Sequence, residues 1–311
     1  MRNLGILDKM STSFISPVQY FLQLGNDKVA MNEMVGNKIK LQWTGRIFCT
    51  VCGKKIKKGY GEGMCWDCFS GSAENAECIL RPELCEAHLG KGRNPEWEEK
   101  AHNRPHYVYL ALTDAAKVGV TRGDQIPTRW IDQGANKGII VVETPYRQLA
   151  GFIEVVLKDY FTDKTNWQKM LRNEVNEQID LVEEKKRLIT LLPEEYRQYE
   201  YKNDEIVELI YPVKQYPQKV SSMSFEKTPS IELPLQGIRG QYLIFEGGNV
   251  FNVRKNSGYE VELISELANY IFAFPNTFFS KSLVRAKGSL RIAASSLAII
   301  KNKPEIALRV A

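Results

Sequence analysis

The chain has 311 residues, 43% of them hydrophobic and 25% charged, with a formal net charge of +5. That is long enough for two or three domains with a real core, and ordinary enough to exclude disordered and collagen-like classes. No apolar run approaches the ~20 residues of a membrane span. The start Met1–Asp8 also lacks the basic head and apolar core of a secretory signal. The sequence therefore predicts a cytoplasmic protein with no membrane partner. Its net charge is local: from Ser265 onward seven Lys and Arg face two Glu, leaving the first 264 residues balanced at 35 of each sign. Bulk charge thus identifies no partner, and any electrostatic argument must rest on patches.

In chain order, Val18–Leu24 and Lys38–Trp43 alternate apolar and polar residues and predict half-buried strands. Next comes a stretch holding all six cysteines and two of the three histidines. It begins Cys49-x2-Cys52-x12-Cys65-x2-Cys68. Thiolate pairs two residues apart suit a tetrahedral Zn2+, and the spacing predicts a zinc ribbon with two knuckles on facing hairpins. Four protein ligands leave no open position, so this site is expected to be structural. Cys78-x6-Cys85-x2-His88-x13-His102 predicts a second closed Zn2+ site, with His106 as an alternative fourth ligand. Paired CxxC cysteines without an export signal point to metal in a reducing compartment rather than to disulfides.

Tyr107–Leu112 and Ala116–Val120 predict a hairpin. A short helix over Thr128–Gln133, ended by Gly134, and a strand over Gly138–Glu143 follow. Thr144-Pro145 predicts an N-cap with proline at the first helical position, and the helix should bury Leu149, Ile153, Val156 and Tyr160. Asp163–Leu192 predicts mostly one longer helix with Glu183–Arg187 as a solvated face, stopped by Pro193. Tyr211–Pro234 reads as an extended connector, and Gln241–Leu263 as a compact β segment with a Gly247-Gly248 turn. The fold class is α+β. The predicted divisions are 1–45 (N-terminal β region), 46–103 (two-zinc region), 104–193 (central domain), 194–264 (connector and C-terminal β region) and 265–311 (basic tail).

The order Tyr107-Val108-Tyr109, Lys117-Val118-Gly119, Arg129 opening a helix and Glu154 inside the next resembles the GIY-YIG nuclease domain. That family folds as a small sheet flanked by helices and cleaves phosphodiesters with one divalent ion. The resemblance implies that Tyr109 is the first tyrosine and Gly119 the glycine of the second motif. It implies that Arg129 stabilises the phosphate, that Glu154 holds Mg2+ or Mn2+, and that Asn166 matches a late asparagine. Tyr107 stands where glycine is usual, and Lys117 replaces the second tyrosine, as base or as phosphate binder. Read without that resemblance, Glu154 is a rim residue and Arg129 a helix-start surface charge.

The wider arrangement over residues 5–263 resembles an uncharacterised bacterial family known only as a domain of unknown function. The matching phrases include Cys49–Lys55, Pro95-Glu96-Trp97, Val108–Ala111, Pro127–Ala135 and Gly240–Leu243.

For partners the sequence points to nucleic acid, RNA or DNA undecided. Lys54, Lys55, Lys57 and Lys58 lie between the predicted knuckles, and Arg254 lies with Arg239, Tyr242, Phe251 and Tyr259 in a mixture of cations and aromatics. The expected function is nucleic-acid binding with metal-dependent cleavage. The alternatives are a non-catalytic RNA- or ribosome-associated module and a protein-interaction scaffold with structural zincs.

Overall fold

The computed structural model describes residues 1–161 and 166–265, so the predicted basic tail beyond Ser265 lies outside the described residues. The described residues belong to one compact unit. Strand β1 (Arg2–Ser13), β2 (Gln19–Leu24) and β3 (Asp27–Ala30) run antiparallel in sequence order. The predicted alternation is realised in β2, where Tyr20, Leu22 and Leu24 are buried and the residues between them only half so. β4 (Lys38–Phe48) buries Ile39 and Leu41 and then runs into the first cysteine pair, closing a hairpin with β5 (Lys55–Ile56).

Three short helices carry the rest of the cysteine region: α1 (Trp66–Gly71), α2 (Glu77–Leu80) and α3 (Pro95–His102). The central hairpin is β6 (His106–Leu112) with β7 (Ala116–Arg122), followed by α4 (Thr128–Asp132), β8 (Lys137–Thr144) and α5 (Arg147–Lys158). After α6 (Trp167–Leu171) and α7 (Leu181–Leu191) come β9 (Val207–Glu208), β10 (Ser221–Met223), β11 (Ser230–Arg239), β12 (Tyr242–Phe245), β13 (Asn249–Asn252) and β14 (Tyr259–Ser265). Among the described residues, no helix is long and apolar enough to cross a membrane. The fold is mixed α+β, as predicted.

Both ends of this unit build the larger sheet, ordered β10-β13-β12-β11-β4-β14-β1-β2-β3, with β5 on β4. The smaller sheet is β7-β6-β8-β9. β6 reads as a continuous apolar run because both its faces are covered. Tyr109 and Ala111 face a core shared with Leu7, Tyr20, Leu41, Phe251 and Trp130. Val108, Leu110 and Leu112 face the core under α5 and α7. Each such fully buried aliphatic contributes about 1.5–3 kcal/mol. The sheets are therefore joined through β6 itself, and the hairpin sits on a rigid support.

Three local expectations are corrected. Asp163–Leu192 is not one helix: α6 ends at Leu171, and a turn through Asn173, at φ 58°, precedes the Asp180 cap of α7. Thr144 is not an N-cap. Its hydroxyl donates to backbone oxygen (His106 O lies at 3.2 Å and Tyr146 O at 3.1 Å), and α5 starts only at Arg147, with no side-chain cap. Nor is Glu183–Arg187 wholly solvated. Lys185 is 1% exposed, its Nζ donating to Tyr201 O (2.6 Å) and Asn203 O (2.8 Å) and pairing with Asp204 (2.7 Å).

One close approach fixes the helix that carries Glu154. Gly151 lies in α5 where an added Cβ would overlap the backbone of Pro82 and Glu83. Gly151→Ala would normally gain up to ~1 kcal/mol in a helix. Here it is expected to destabilise by about 1–3 kcal/mol through overpacking, read as a lower urea midpoint in equilibrium unfolding.

Candidate functional site

The sulfurs of Cys49, Cys52, Cys65 and Cys68 all lie within 4.8 Å of one another. Cys52 and Cys65 Sγ are 3.9 Å apart, far beyond a disulfide bond and close to the ~3.8 Å edge of a tetrahedron with 2.3 Å zinc–sulfur bonds. Cys49 Sγ accepts the N–H of Cys65 (3.2 Å) and of Cys52 (3.5 Å), and Cys65 Sγ accepts that of Cys68 (3.5 Å). Burial pushes the Cys49 thiol up, but these backbone donors outweigh it and bring it down to about 6. Hydrogen bonding to Cys65, then burial, pushes Cys68 up to about 12. The four residues can hold a metal ion. Only the first knuckle lies on a β4–β5 hairpin; the second follows a Tyr60–Met64 bridge and opens α1, with Cys65 as its N-cap.

Cys78, Cys85 and His102 form the second group that can hold a metal, all buried, with Cys85 Sγ 3.4 Å from His102 Nδ1. Hydrogen bonding from Cys78, opposed by burial and aided by His102, lowers Cys85 to about 4, while Cys78 is pushed up by the same pairing. His88 is not in this group. The Cys85-x2-His88 spacing is right, but the segment Ala87–Leu89 turns the ring onto Tyr146, with centroids 4.2 Å apart and planes 9° from parallel.

Two buried residues flank these three side chains. Glu98 has Oε1 occupied by the N–H groups of Arg93 (2.7 Å) and Asn94 (3.1 Å), and its Oε2 is 3.9 Å from Cys78 Sγ. His106, fully buried, has its ring centroid 6.3 Å from that of His102. Its Nδ1 donates to Arg104 O at 2.7 Å, and its Nε2 has no hydrogen-bond partner. Burial drives this imidazole down to about 3, so it is neutral.

A cavity of about 260 Å3 brings together Tyr109 from β6, Lys117 and Gly119 from β7, Arg129 from α4 and Glu154 from α5. Gln133, Arg147, Lys158 and Phe161 also line it, and Ile79, Leu80 and Pro82 of the second cysteine segment form one wall. Tyr109 sits across from Gly119 in the hairpin, and a Cβ at 119 would meet its Oη at 2.5 Å, so the ring needs that glycine. The Tyr109 hydroxyl and the Gln133 amide are within hydrogen-bond reach at 3.1 Å. Burial raises its pKa against the opposing pull of Arg129, so the phenol keeps its proton. Glu154 is 6% exposed, and burial raises its carboxyl above the ordinary range despite Lys158 and Arg147. Its Oε2 has Lys158 Nζ at 3.3 Å but no partner in hydrogen-bond geometry.

The sequence reading missed Arg147. Buried, it donates Nε and Nη2 to Cys78 O (3.1 and 3.0 Å) and Nη2 to Ile79 O (3.0 Å), satisfying carbonyls that end α2. It lies seven residues before Glu154 on the same helix face, which was the available signal. Gln148 Nε2 adds a bond to Glu83 O at 3.2 Å, so the second cysteine group and the cavity share α5. The end of α4 is held by Gln241 Nε2 on Asp132 Oδ1 (2.9 Å) and by an ion pair from Lys9. A hollow of about 480 Å3 at residues 215–219 and Gly247-Gly248 holds none of the predicted residues, so size does not choose the site.

Lys54, Lys55, Lys57 and Lys58 are exposed. Arg254 is not free beside them: it is paired with Glu62, with Nε at 2.8 Å. The C-terminal cation and aromatic mixture is mostly packing. Phe251 and Arg239 are fully buried, Arg239 on Gly134 O (2.9 and 3.0 Å), and Tyr242 stacks on Trp167 at 5.7 Å. Asn166 caps α6 by accepting from Gln168 and Lys169 (both 3.1 Å) and is not among the cavity residues.

No curated protein and no solved structure matches this chain. Residues 36–261, which include both cysteine groups and the cavity, match the family described as protein of unknown function (DUF2797), and the chain belongs to that family.

Proposed function

We propose that this is a zinc-bearing nucleic-acid-binding protein whose cavity cleaves phosphodiesters with a divalent ion, in the manner of the GIY-YIG nucleases it resembles. The observation that carries the reading is the convergence of Tyr109, Lys117, Arg129 and Glu154, from four elements, on one cavity. Glu154 is the single carboxylate among the described lining residues, and Arg129, Arg147 and Lys158 supply cations for a phosphate. A buried carboxylate oxygen with no hydrogen-bond donor suits Mg2+ or Mn2+, which binds through one or two carboxylates plus substrate phosphate. When bound, that ion polarises a phosphoryl oxygen and neutralises developing charge.

In the proposed step water attacks phosphorus, its proton passes to a base, the bond to the leaving oxygen breaks, and that oxygen takes up a proton from solvent. Tyr109, protonated, orients the attacking water or the phosphate by donating its O–H. Lys117 is the lining amine on β7 that either takes the proton or, as ammonium, holds the phosphate. Arg129 stabilises the charge that builds on the non-bridging oxygens.

Both cysteine groups are read as Zn2+ sites. At the second, His106 is the candidate fourth ligand, adjacent to the three-residue group but not within it: Nδ1 held on a backbone carbonyl leaves the Nε2 lone pair unpaired, the usual arrangement of a ligating histidine. Glu98 is already engaged by two backbone donors.

The test is a screen of single-stranded, branched and structured RNA and DNA with Mg2+ or Mn2+. Cleavage is expected, and its absence on every substrate while binding persists would leave a non-catalytic module.

A further inference from the structure

The ribbon carries a feature that the cavity does not use. Tyr60, Trp66 and Phe69 form a mutual cluster, with ring centroids 5.2, 6.0 and 6.1 Å apart. They are not core residues: Trp66 is 58% exposed and Tyr60 36%. Trp66 opens α1 directly after Cys65, and Tyr60 pairs with Met64 just before it, so the second knuckle presents both rings. Phe69 lies one turn along α1 and supports them from below, half-buried against Met64 and Cys65. Three rings held together on the surface by a metal knuckle are too large and too concentrated to be incidental exposure.

Charge tells which partner fits. Lys54, Lys55, Lys57 and Lys58 precede the rings in the chain, all exposed, and none makes an ion pair among the described residues. Lys58 Nζ lies 5.8 Å from the Tyr60 ring centroid, which places a cation beside the platform. Of the acids in the same stretch, Glu62 is neutralised by Arg254, leaving Asp67. An apolar protein groove would favour the rings but not four unpaired lysines. A duplex would favour the lysines but offers no base face for Trp66. Unpaired bases with their phosphates satisfy both.

We infer that the ribbon is a stacking platform for single-stranded nucleic acid, with Trp66 and Tyr60 taking bases and the lysine run tracking the backbone. This rests on the nucleic-acid reading above but not on catalysis. Trp66 and Glu154 lie on different elements, and neither the rings nor the lysines line the cavity.

The experiment measures anisotropy of labelled 12-mers (oligo-U, oligo-dT and a mixed duplex) on full-length, zinc-loaded protein at several salt concentrations. Single strands are expected to bind more tightly than duplex. Trp66→Ala should weaken single-strand binding about 5- to 150-fold, since one stacked base is worth ~1–3 kcal/mol, and leave duplex binding and zinc content unchanged. Trp66→Phe should recover most of the loss, because a ring of either kind stacks. Lys57→Gln with Lys58→Gln should flatten the salt dependence by about one or two phosphate contacts. Equal single-strand affinity in Trp66→Ala, or equal affinity of the wild type for duplex, overturns the platform, as does failure to bind any oligonucleotide. Trp66-dependent binding without cleavage sustains the platform and removes the nuclease; cleavage with single-strand binding unchanged in Trp66→Ala does the reverse.

Discussion

Glu154→Ala and Arg129→Ala are each expected to lower divalent-ion-dependent cleavage by at least ~100- to 1,000-fold, the usual effect of removing one group that stabilises transition-state charge. Binding of single strands should persist, because the ribbon platform is untouched. Two further substitutions sharpen the assignment. Lys117→Met removes base and charge together, and Tyr109→Phe removes only the hydroxyl that faces Gln133. If Tyr109→Phe is mild and Lys117→Met is severe, the lysine carries the larger share, as base or as phosphate binder, and the phenol only orients.

Glu154→Gln carries a stability test with the opposite sign. Burial raises the folded-state pKa above the ordinary 4.5, so the fold prefers the protonated acid and holds more proton than the unfolded chain just above that value. Stability therefore falls as pH rises through this window. Glutamine carries no charge to bury, so in the absence of divalent ion Glu154→Gln should be more stable than wild type by ~1 kcal/mol at neutral pH. That corresponds to a Tm about 2–4 °C higher. The gap should close as pH falls below about 4.5. A carboxylate kept at a cost to the fold is expected of a functional group and not of a rim residue. Loss of stability in Glu154→Gln at pH 7 would return Glu154 to an ordinary structural role.

The cavity was legible because its parts lie on local elements with clear periods. Continuous apolar character in β6, a glycine opposite Tyr109, and an amphipathic α5 each follow from a few residues. What the sequence did not give is direction and long-range pairing. Nothing local announces that Gly5 of β1 pairs with Val261 of β14, or that β4 lies between β11 and β14. Spacing placed His88 correctly for a chelate, but a turn aims its ring at Tyr146, while His106, outside any cysteine motif, has the unpaired nitrogen.

Other misses had a signal that composition masked. Leu181, Lys185 and Leu188 stand at i, i+4 and i+7, so the helical period places Lys185 inward despite its charged neighbours. Arg254 seemed free because its partner, Glu62, is far away in sequence and belongs to the ribbon. That pairing depends on what a side chain meets across the fold, which no local pattern encodes.

Removal of metal should have the largest effect on the molecule. Purified protein is expected to carry about two zincs per chain, each structural site being worth an apparent ~10–16 kcal/mol at pH 7. The two are separable. Cys52→Ser should reduce the count to about one and abolish single-strand binding, since the knuckle that presents Trp66 is lost. Cleavage of substrates saturating enough to bypass the platform should survive. Cys85→Ser should also leave about one zinc but eliminate cleavage. Its segment forms the Ile79–Pro82 wall of the cavity and is tied to α5 by Arg147, Gln148 and the close approach at Gly151. Hydrogen exchange should then show α5 amides opening in Cys85→Ser but not in Cys52→Ser. His106→Ala should behave as Cys85→Ser does. Two zincs retained in His106→Ala would remove it from the ligand set and turn attention to Glu98, whose Oε2 is already beside Cys78.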